Sequence, residues 1–157
     1  VLLTEIHELD LCNWYFGLPK YVSCIGGNYS NIKLDVEDTA CVTLEYPNFS
    51  VQVNLCFMQQ YNRRDLYISG TNGYVEWNIN GNTFKYVNYK DDSKEDLCDL
   101  THTNDDMFIS QTKYFLDTLK KSDNLIYLNA AKNSLAIVEA AKESMKKNKK
   151  VKCLDNL

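Results

Sequence analysis

Two polar side chains near the start of the chain have the types and spacing that acid–base chemistry needs. His7 and Asp10 are three residues apart, which places both side chains on one face of a helix. An imidazole gains or loses a proton near neutral pH, and a neighbouring carboxylate favours its charged form and fixes its tautomer. Such a pair can accept the proton that a hydroxyl gives up when an alcohol is oxidised. The same spacing is also common in surface pairs that have no catalytic role.

Other sequence signals for catalysis are missing. The chain has no G-x-G-x-x-G, Walker, G-x-S-x-G or H-E-x-x-H motif. Its six cysteines form no C-x-x-C pair and no cluster with zinc spacing, so no metal site is expected. His102 lies in a polar segment and is interpreted as exposed to solvent. The cysteines are interpreted as buried thiols in a cytoplasmic protein, with disulfides in a secreted protein as the alternative; they are Cys12, Cys24, Cys41, Cys56, Cys98 and Cys153.

The element that must position His7 and Asp10 is a short helix. Apolar residues recur at helical spacing over residues 5–16. Thr4 can cap the start of this helix, and Gly17 can end it. A helix is therefore predicted over residues 5–16.

Period-2 alternation predicts a series of strands after this helix. The predicted strands are residues 20–28, 39–46, 50–58, 64–70, 74–79 and 83–89, with a last edge strand at 151–154. On the first hairpin, Ala40, Val42, Leu44 and Tyr46 share one face. The opposite face is too apolar to be fully solvated, so contact with another domain or a second copy is predicted, with an ordinary half-exposed sheet as the alternative. That face consists of Cys41, Thr43, Glu45, Gln52, Asn54, Cys56 and Met58.

Two longer helices are predicted towards the end of the chain, after a polar surface loop at 90–104. The first covers about 104–121, and its predicted apolar side consists of Phe108, Thr112, Phe115, Leu116 and Leu119. The second covers about 128–148, and its predicted apolar side consists of Leu128, Ala131, Leu135, Val138, Ala141 and Met145. The predicted fold class is α+β: an open, mainly antiparallel sheet with helices packed on one face.

Length and charge narrow the function classes. With 157 residues the chain suits one domain. A net charge of -4 disfavours a nucleic-acid partner, and the lysine-rich segment 142–152 is interpreted as a solvated helix end rather than a binding patch. No apolar stretch is long enough to span a membrane.

The segment around His7 resembles a motif of the Gfo/Idh/MocA oxidoreductases. Residues 7–19 follow the family pattern H-x-x-D, then W-x-x-G-x-P. Residues 38–46 resemble its D-x-A-x-V-x-L-x-Y strand, and residues 64–76 resemble its R-x-x-x-I-x-G-x-x-G-x-I-E hairpin. Further matches are Phe108, Gln111 and Phe115 in its late helix, residues 140–144 in its closing helix, and Lys150-Val151 in its final strand. The likeness spans nearly the whole chain in the right order.

This resemblance implies both a fold and a function. Residues 1–157 would be a dihydrodipicolinate-reductase-like C-terminal domain, serving substrate binding and oligomerisation. Its partners would be its own N-terminal Rossmann domain, absent from this chain, and further copies bound through the open sheet face. NAD or NADP would be held mainly by the missing domain. The substrate would be the hydroxyl of a sugar, sugar nucleotide or cyclitol. The resemblance implies His7 as the catalytic residue, with Asp10, Thr4 and Glu5 binding substrate.

The chain departs from the family pattern just before His7. Many members have an Asp four residues before the histidine, where this chain has Leu3. The S/T-x-x-H-E-x-D pattern of residues 4–10 is similar to the branch that acts on acidic sugars and surface polysaccharides. Because the chain opens with Val1 and lacks the dinucleotide glycines, it is expected to be a truncated half that is inactive alone. The alternative is a non-catalytic binding or dimerisation module that kept the fold.

Overall fold

The computed structural model describes residues 1–96, 104–119 and 125–153. The chain divides into two compact units, one of Val1–Met58 with Asp123–Leu157 and one of Gln59–Ser122. The helices are α1 (Ile6–Phe16), α2 (Asn104–Leu119) and α3 (Leu125–Lys147). The strands are β1 (Tyr21–Gly27), β2 (Thr39–Glu45), β3 (Ser50–Cys56), β4 (Asp65–Gly70), β5 (Gly73–Asn78), β6 (Thr83–Asn88), β7 (Lys94–Asp96) and β8 (Val151–Lys152).

The first unit is a four-stranded antiparallel sheet with two helices on one face. Its strand order is β3-β2-β1-β8. The predicted alternation holds, because Ala40, Val42 and Leu44 are buried towards the helices. Helices α1 and α3 contact each other and the sheet, so one apolar core lies between the two layers. The core also contains Val22, Cys24, Leu55, Leu9, Cys12, Ile137, Val138 and Ala141.

Helix α3 buries a different face from the predicted one. Val138 and Ala141 are buried as expected, but Leu128, Ala131 and Leu135 are exposed. The buried face instead runs through Ser134, Ile137, Val138, Ala141 and Ser144. The predicted apolar side of α3 was wrong in the N-terminal half of the helix, because the prediction considered hydrophobic residues only. It therefore left out Ser134 there, and Ser144 further along. Both serines are buried with hydrogen-bond partners. These bonds replace the hydrogen bonds to water that a buried hydroxyl loses.

The opposite face of the first sheet carries the predicted contact residues. Cys41, Gln52, Asn54 and Met58 are exposed, and Thr43, Glu45 and Cys56 are half-buried. Ile25, which pairs with Cys41 in the register, is 75% exposed. This face therefore presents apolar side chains to solvent.

The second unit is another four-stranded antiparallel sheet, in the order β4-β5-β6-β7. Strand β7 lies where a polar loop was predicted for 90–104; backbone pairing of Lys94 with Val87 accommodates these charged residues at a sheet edge. The predicted apolar side of α2 is exposed along its described length, including Phe108, Phe115 and Leu119.

The α+β class with antiparallel sheets and helices is confirmed. The strands are divided between two sheets, because β4 pairs with β5 and β3 with β2. Alternation shows where strands lie but not which strands pair.

In the lysine-rich segment, Lys142, Lys147 and Lys150 form ion pairs with Glu139, Glu143 and Glu45. Within the described ranges, no helix is both long and apolar enough to cross a membrane.

Candidate functional site

Helix α1 holds His7 on its exposed side. Leu9 and Cys12 are buried on the other side, and Ile6 packs against the same core. The helix ends at Gly17, whose φ of 72° and N–H bond to Asn13 O terminate it as predicted. The core contacts fix the helix, so the His7 side chain, which is 51% exposed, is presented to solvent.

A turn at residues 1–5 precedes the helix. The N–H of Glu5 donates to the carbonyl of Val1 at 2.8 Å, and Glu5 occupies the N-cap position without a side-chain cap bond. Thr4 was predicted to cap the helix and does not, because it lies inside this turn, one residue before the cap position. Thr4 and Leu3 are both exposed.

The carboxylates next to the His7 imidazole are those of Glu5 and Glu8. His7 Nε2 lies 3.0 Å from Glu5 Oε2 and 3.5 Å from Glu8 Oε1. These distances place Nε2 as the ring nitrogen beside the two carboxylates. The sequence pattern did not single out Glu8, although it directly follows the histidine.

Asp10 contacts helix α3. The Ser134 hydroxyl donates to Asp10 Oδ1 at 2.5 Å, and Ser134 is buried. One turn further along, Asn13 Nδ2 donates to the carbonyl of Ala130 at 3.4 Å. Asp10 therefore braces α1 against α3 in this structure. Ser134 was missed because it is 124 residues from Asp10 in the chain.

The connection between β1 and β2 ends in a buried carboxylate. Asp38 Oδ1 and Oδ2 accept bonds from the N–H of Tyr29 at 3.0 and 3.1 Å, and Oδ2 accepts from the Ser30 hydroxyl at 2.6 Å. The Thr39 hydroxyl donates to Oδ1 at 3.0 Å. Donors surround the charge, so the Ser30 hydroxyl first, and then the Tyr29 amide, lower the pKa of Asp38 from 3.8 to about 2. The ionised carboxylate thus fixes the connection.

Glu37, the residue before Asp38, reaches the turn that leads into α1. Its Oε1 accepts a bond from the Leu2 N–H at 2.8 Å. The Leu2 side chain is fully buried in the core. Glu37 was not predicted to act at this site, because 35 residues separate it from Leu2.

The buried cysteines beneath the site are not poised as nucleophiles. Burial, assisted by Glu8, raises the pKa of Cys12 to about 11. Burial, with Cys41 and Glu37 adding to it, raises the pKa of Cys24 to about 11. Both are therefore neutral thiols at physiological pH, and a thiolate is the reactive form of cysteine. His102 and Cys98 lie outside the described residues.

Glu5, His7 and Glu8 also form a group of mixed donors. Within the described ranges, one ligand atom from each lies within 4.8 Å of the others. The imidazole–carboxylate contacts account for this spacing without an ion. We assign no metal to the cluster.

A family likeness is found in the N-terminal half of the chain. Residues 2–76 match the GFO/IDH/MocA C-terminal domain, and this range includes α1, the first three strands, β4 and the first four residues of β5. The region from Leu2 to Glu76 is therefore similar to that family of oxidoreductase domains, as the motifs around His7 indicated. No curated protein sequence matches the chain at a significant level.

Solved structures show the same fold over nearly the whole chain. An oxidoreductase from Agrobacterium radiobacter, in complex with NAD+, L-tartaric acid and magnesium, has a TM-score of 0.73 and 18% identity over 95% of this chain and 47% of its own. YvaA, a candidate oxidoreductase from Bacillus subtilis, has a TM-score of 0.75 and 16% identity over 94% of this chain and 50% of its own. A super-repressor mutant of Gal80p from Saccharomyces cerevisiae has a TM-score of 0.69 and 11% identity over 96% and 48%. The chain spans about half the length of these proteins.

Proposed function

We propose that this chain is the substrate-side half of an NAD(P)-dependent oxidoreductase. Its substrate would be the hydroxyl of a sugar, sugar nucleotide or cyclitol, and the chain alone would be inactive. The observation that carries the proposal is that the family match contains an exposed histidine beside two carboxylates. The solved relative that holds NAD+ together with a hydroxy acid supports this class of chemistry.

His7 is the proposed catalytic base. When a substrate hydroxyl is oxidised, its proton passes to the His7 imidazole, and we propose Nδ1 as the acceptor because Nε2 lies beside the carboxylates. The imidazolium that forms is stabilised by Glu5 and Glu8, because each carboxylate oxygen lies within 3.5 Å of Nε2. In the reverse direction the same nitrogen returns the proton.

The other predicted site residues take supporting roles in this proposal. Thr4 and Glu5 precede the histidine on an exposed turn, where a polyhydroxylated substrate can accept and donate hydrogen bonds. Asp10 is proposed to hold the helix at its angle through Ser134. Leu3 is exposed and provides no ionisable group, so Glu5 takes the place of the family's Asp as the carboxylate before the histidine.

The dinucleotide would be bound elsewhere in the full-length protein. Pyrophosphate is usually bound where a glycine-rich turn opens a helix. The described helices begin at Ile6, Asn104 and Leu125, and the chain's six glycines, at positions 17, 26, 27, 70, 73 and 81, precede none of these starts closely. The glycines of this chain therefore do not form a dinucleotide cradle at the start of a described helix.

Replacing His7 tests this function. In the full-length protein, His7→Gln is expected to lower kcat for NAD(P)-dependent oxidation by about 10²–10⁴-fold, the usual contribution of a general base. The measurement is nicotinamide absorbance across a panel of sugars, sugar nucleotides and cyclitols. His102→Gln, the same change at the chain's other histidine, is the matched control. Equal turnover of His7→Gln and wild type would remove the imidazole from the proton path.

The second candidate is a non-catalytic binding module that kept the fold. The similarity to a repressor protein favours it, since that relative has the same fold at a TM-score of 0.69. Isothermal titration separates the two candidates. A full-length protein that binds NAD(P) but turns over no hydroxyl compound supports the binding module.

The proposal also includes a location and an assembly. Thiols such as Cys12 and Cys24 suit a reducing compartment, so we assign the protein to the cytoplasm. The exposed apolar face of the first sheet, with Ile25 and Cys41, is the proposed homo-oligomer interface.

A further inference from the structure

We infer that Glu37 is a positioning residue for the His7 cluster, acting through the turn at residues 1–5. This inference rests on the proposed function. The body of α1, which includes Glu8, is held by Leu9, Cys12 and the Asp10–Ser134 bond. None of these contacts involves the carboxylate that lies nearer to the imidazole, at 3.0 Å from His7 Nε2. That carboxylate is the side chain of Glu5, the N-cap residue, which joins the turn to the helix.

Hydrogen bonds hold both ends of this turn. The Val1 nitrogen donates to Glu37 O at 2.6 Å and to Glu37 Oε1 at 3.0 Å, and Glu5 O accepts from the Glu8 N–H at 3.1 Å. The Glu5 N–H donates to Val1 O at 2.8 Å, and the Leu2 N–H donates to Glu37 Oε1 at 2.8 Å. The Glu37 side chain is mostly buried, so water competes weakly for the Leu2 amide. Glu37 therefore fixes the position of the turn relative to the first sheet. The position of the turn determines the distance between the Glu5 carboxylate and His7 Nε2.

Glu37 is itself held rigidly by its neighbour. The Asp38 N–H donates to Gly27 O at 3.1 Å, and Asp38 O accepts from the Phe57 N–H at 2.9 Å. Through these bonds, Asp38 is attached to the last residue of β1 and to the residue that follows β3. Its carboxylate also accepts hydrogen bonds from the N–H groups of Tyr29 and Ser30. The first sheet thus determines the position of Glu37, and a shift in the sheet would be transmitted to the imidazole's partner.

Two conservative substitutions of Glu37 distinguish the effect of its side-chain length from the effect of its charge. Glu37→Gln keeps an oxygen at the same distance from the backbone but loses the charge. Glu37→Asp keeps the charge but withdraws the carboxylate by one methylene from the Leu2 amide. In the full-length protein, we expect Glu37→Gln to keep the wild-type kcat and Glu37→Asp to lower kcat about tenfold with a smaller change in KM, because small misplacements near a reacting group are costly. Glu143→Gln and Glu143→Asp, at an exposed α3 residue, are the matched controls.

Amide hydrogen exchange of Leu2 and Glu5 gives a readout that does not depend on activity. We expect faster exchange at both amides in Glu37→Asp and wild-type exchange in Glu37→Gln. Wild-type kcat in Glu37→Asp, or the reverse ranking of the two variants, would overturn the inference. If His7→Gln is as active as wild type, the proposed function fails, and the exchange data still show whether Glu37 holds the turn.

Discussion

Asp38 is a buried carboxylate with several hydrogen-bond donors around it. Its carboxylate is buried, and its hydrogen-bond partners are the backbone N–H groups of Tyr29 and Ser30 and the hydroxyls of Ser30 and Thr39. A buried charge is tolerated when donors replace its water shell. These bonds favour the ionised form in the folded state, so the pKa falls to about 2.

This lowered pKa makes the stability of the first unit depend on acid pH. In the unfolded chain an aspartate titrates near about 3.9. Because the folded-state pKa is lower, the contribution of Asp38 is fully present above about pH 4 and is lost as the pH falls towards about 2. We expect Asp38→Asn to be less stable than wild type at pH 7 and to lack this part of the acid-dependent loss. Urea unfolding at pH 7, 4 and 2.5 measures it.

The control for Asp38→Asn is Asp35→Asn, since Asp35 is exposed in the same connection. It should retain the wild-type pH dependence. Parallel stability curves for Asp38→Asn and wild type between pH 4 and pH 2.5 would contradict the assignment.

At the residue scale, the sequence was informative about His7 but not about its partners. The H-x-x-D spacing identified the histidine and the aspartate, and both lie on α1 as expected. His7 and Asp10 have different partners: Glu5 and Glu8 lie next to His7, whereas Ser134 is hydrogen-bonded to Asp10. Spacing along one helix cannot reveal a contact made by a residue that is more than a hundred positions away.

The next scale is the element, and α3 illustrates it best. Its buried face contains two serines and several alanines beside Ile137 and Val138. Ser144 shows why: its hydroxyl accepts a bond from the Cys24 N–H at 2.9 Å and donates to the Lys149 carbonyl at 2.8 Å. A short polar side chain thereby satisfies a strand amide at a helix end, and close packing of helix on sheet becomes possible.

Two substitutions on α3 test which face is the core. Ile137 is fully buried, whereas Leu135 is 39% exposed, although the apolar stripe in the sequence runs through Leu135. Ile137→Ala should cost about 2–5 kcal/mol of unfolding free energy, since it leaves a cavity. Leu135→Ala should cost about 1 kcal/mol or less, as for other partly exposed side chains. Chemical denaturation of both variants measures the difference. A larger loss for Leu135→Ala would restore the sequence-based orientation of the helix.

Strands were predicted more accurately than helix faces. β1, β2 and β3 lie within one or two residues of the predicted ranges, because alternation with a period of two has only two phases. A helix offers many more orientations, and an alanine-rich helix such as α3 distinguishes them weakly. Strand β7 escaped prediction because its sequence, Lys94 to Asp96, carries only charged side chains.

At the scale of the whole molecule, the chain matches half the length of its solved relatives. That a nucleotide-binding half completes the protein stays a prediction. The first sheet then has one face covered by α1 and α3 and another face without a covering element among the described residues of its unit. That second face is where the proposed assembly would form.

Ile25 offers a direct test of this assembly. It is 75% exposed on β1, and its register partner Cys41 on β2 is also exposed. In an oligomer that buries this face, Ile25→Lys places a charge in an apolar interface, which is strongly unfavourable. We expect the full-length wild-type protein to sediment as a dimer or larger species at micromolar concentration and Ile25→Lys to sediment as a monomer. Tyr61→Lys changes a similarly exposed aromatic residue of the second unit and should keep the wild-type state, because Tyr61 does not belong to the first sheet. Identical sedimentation of Ile25→Lys and wild type would exclude this face as the interface.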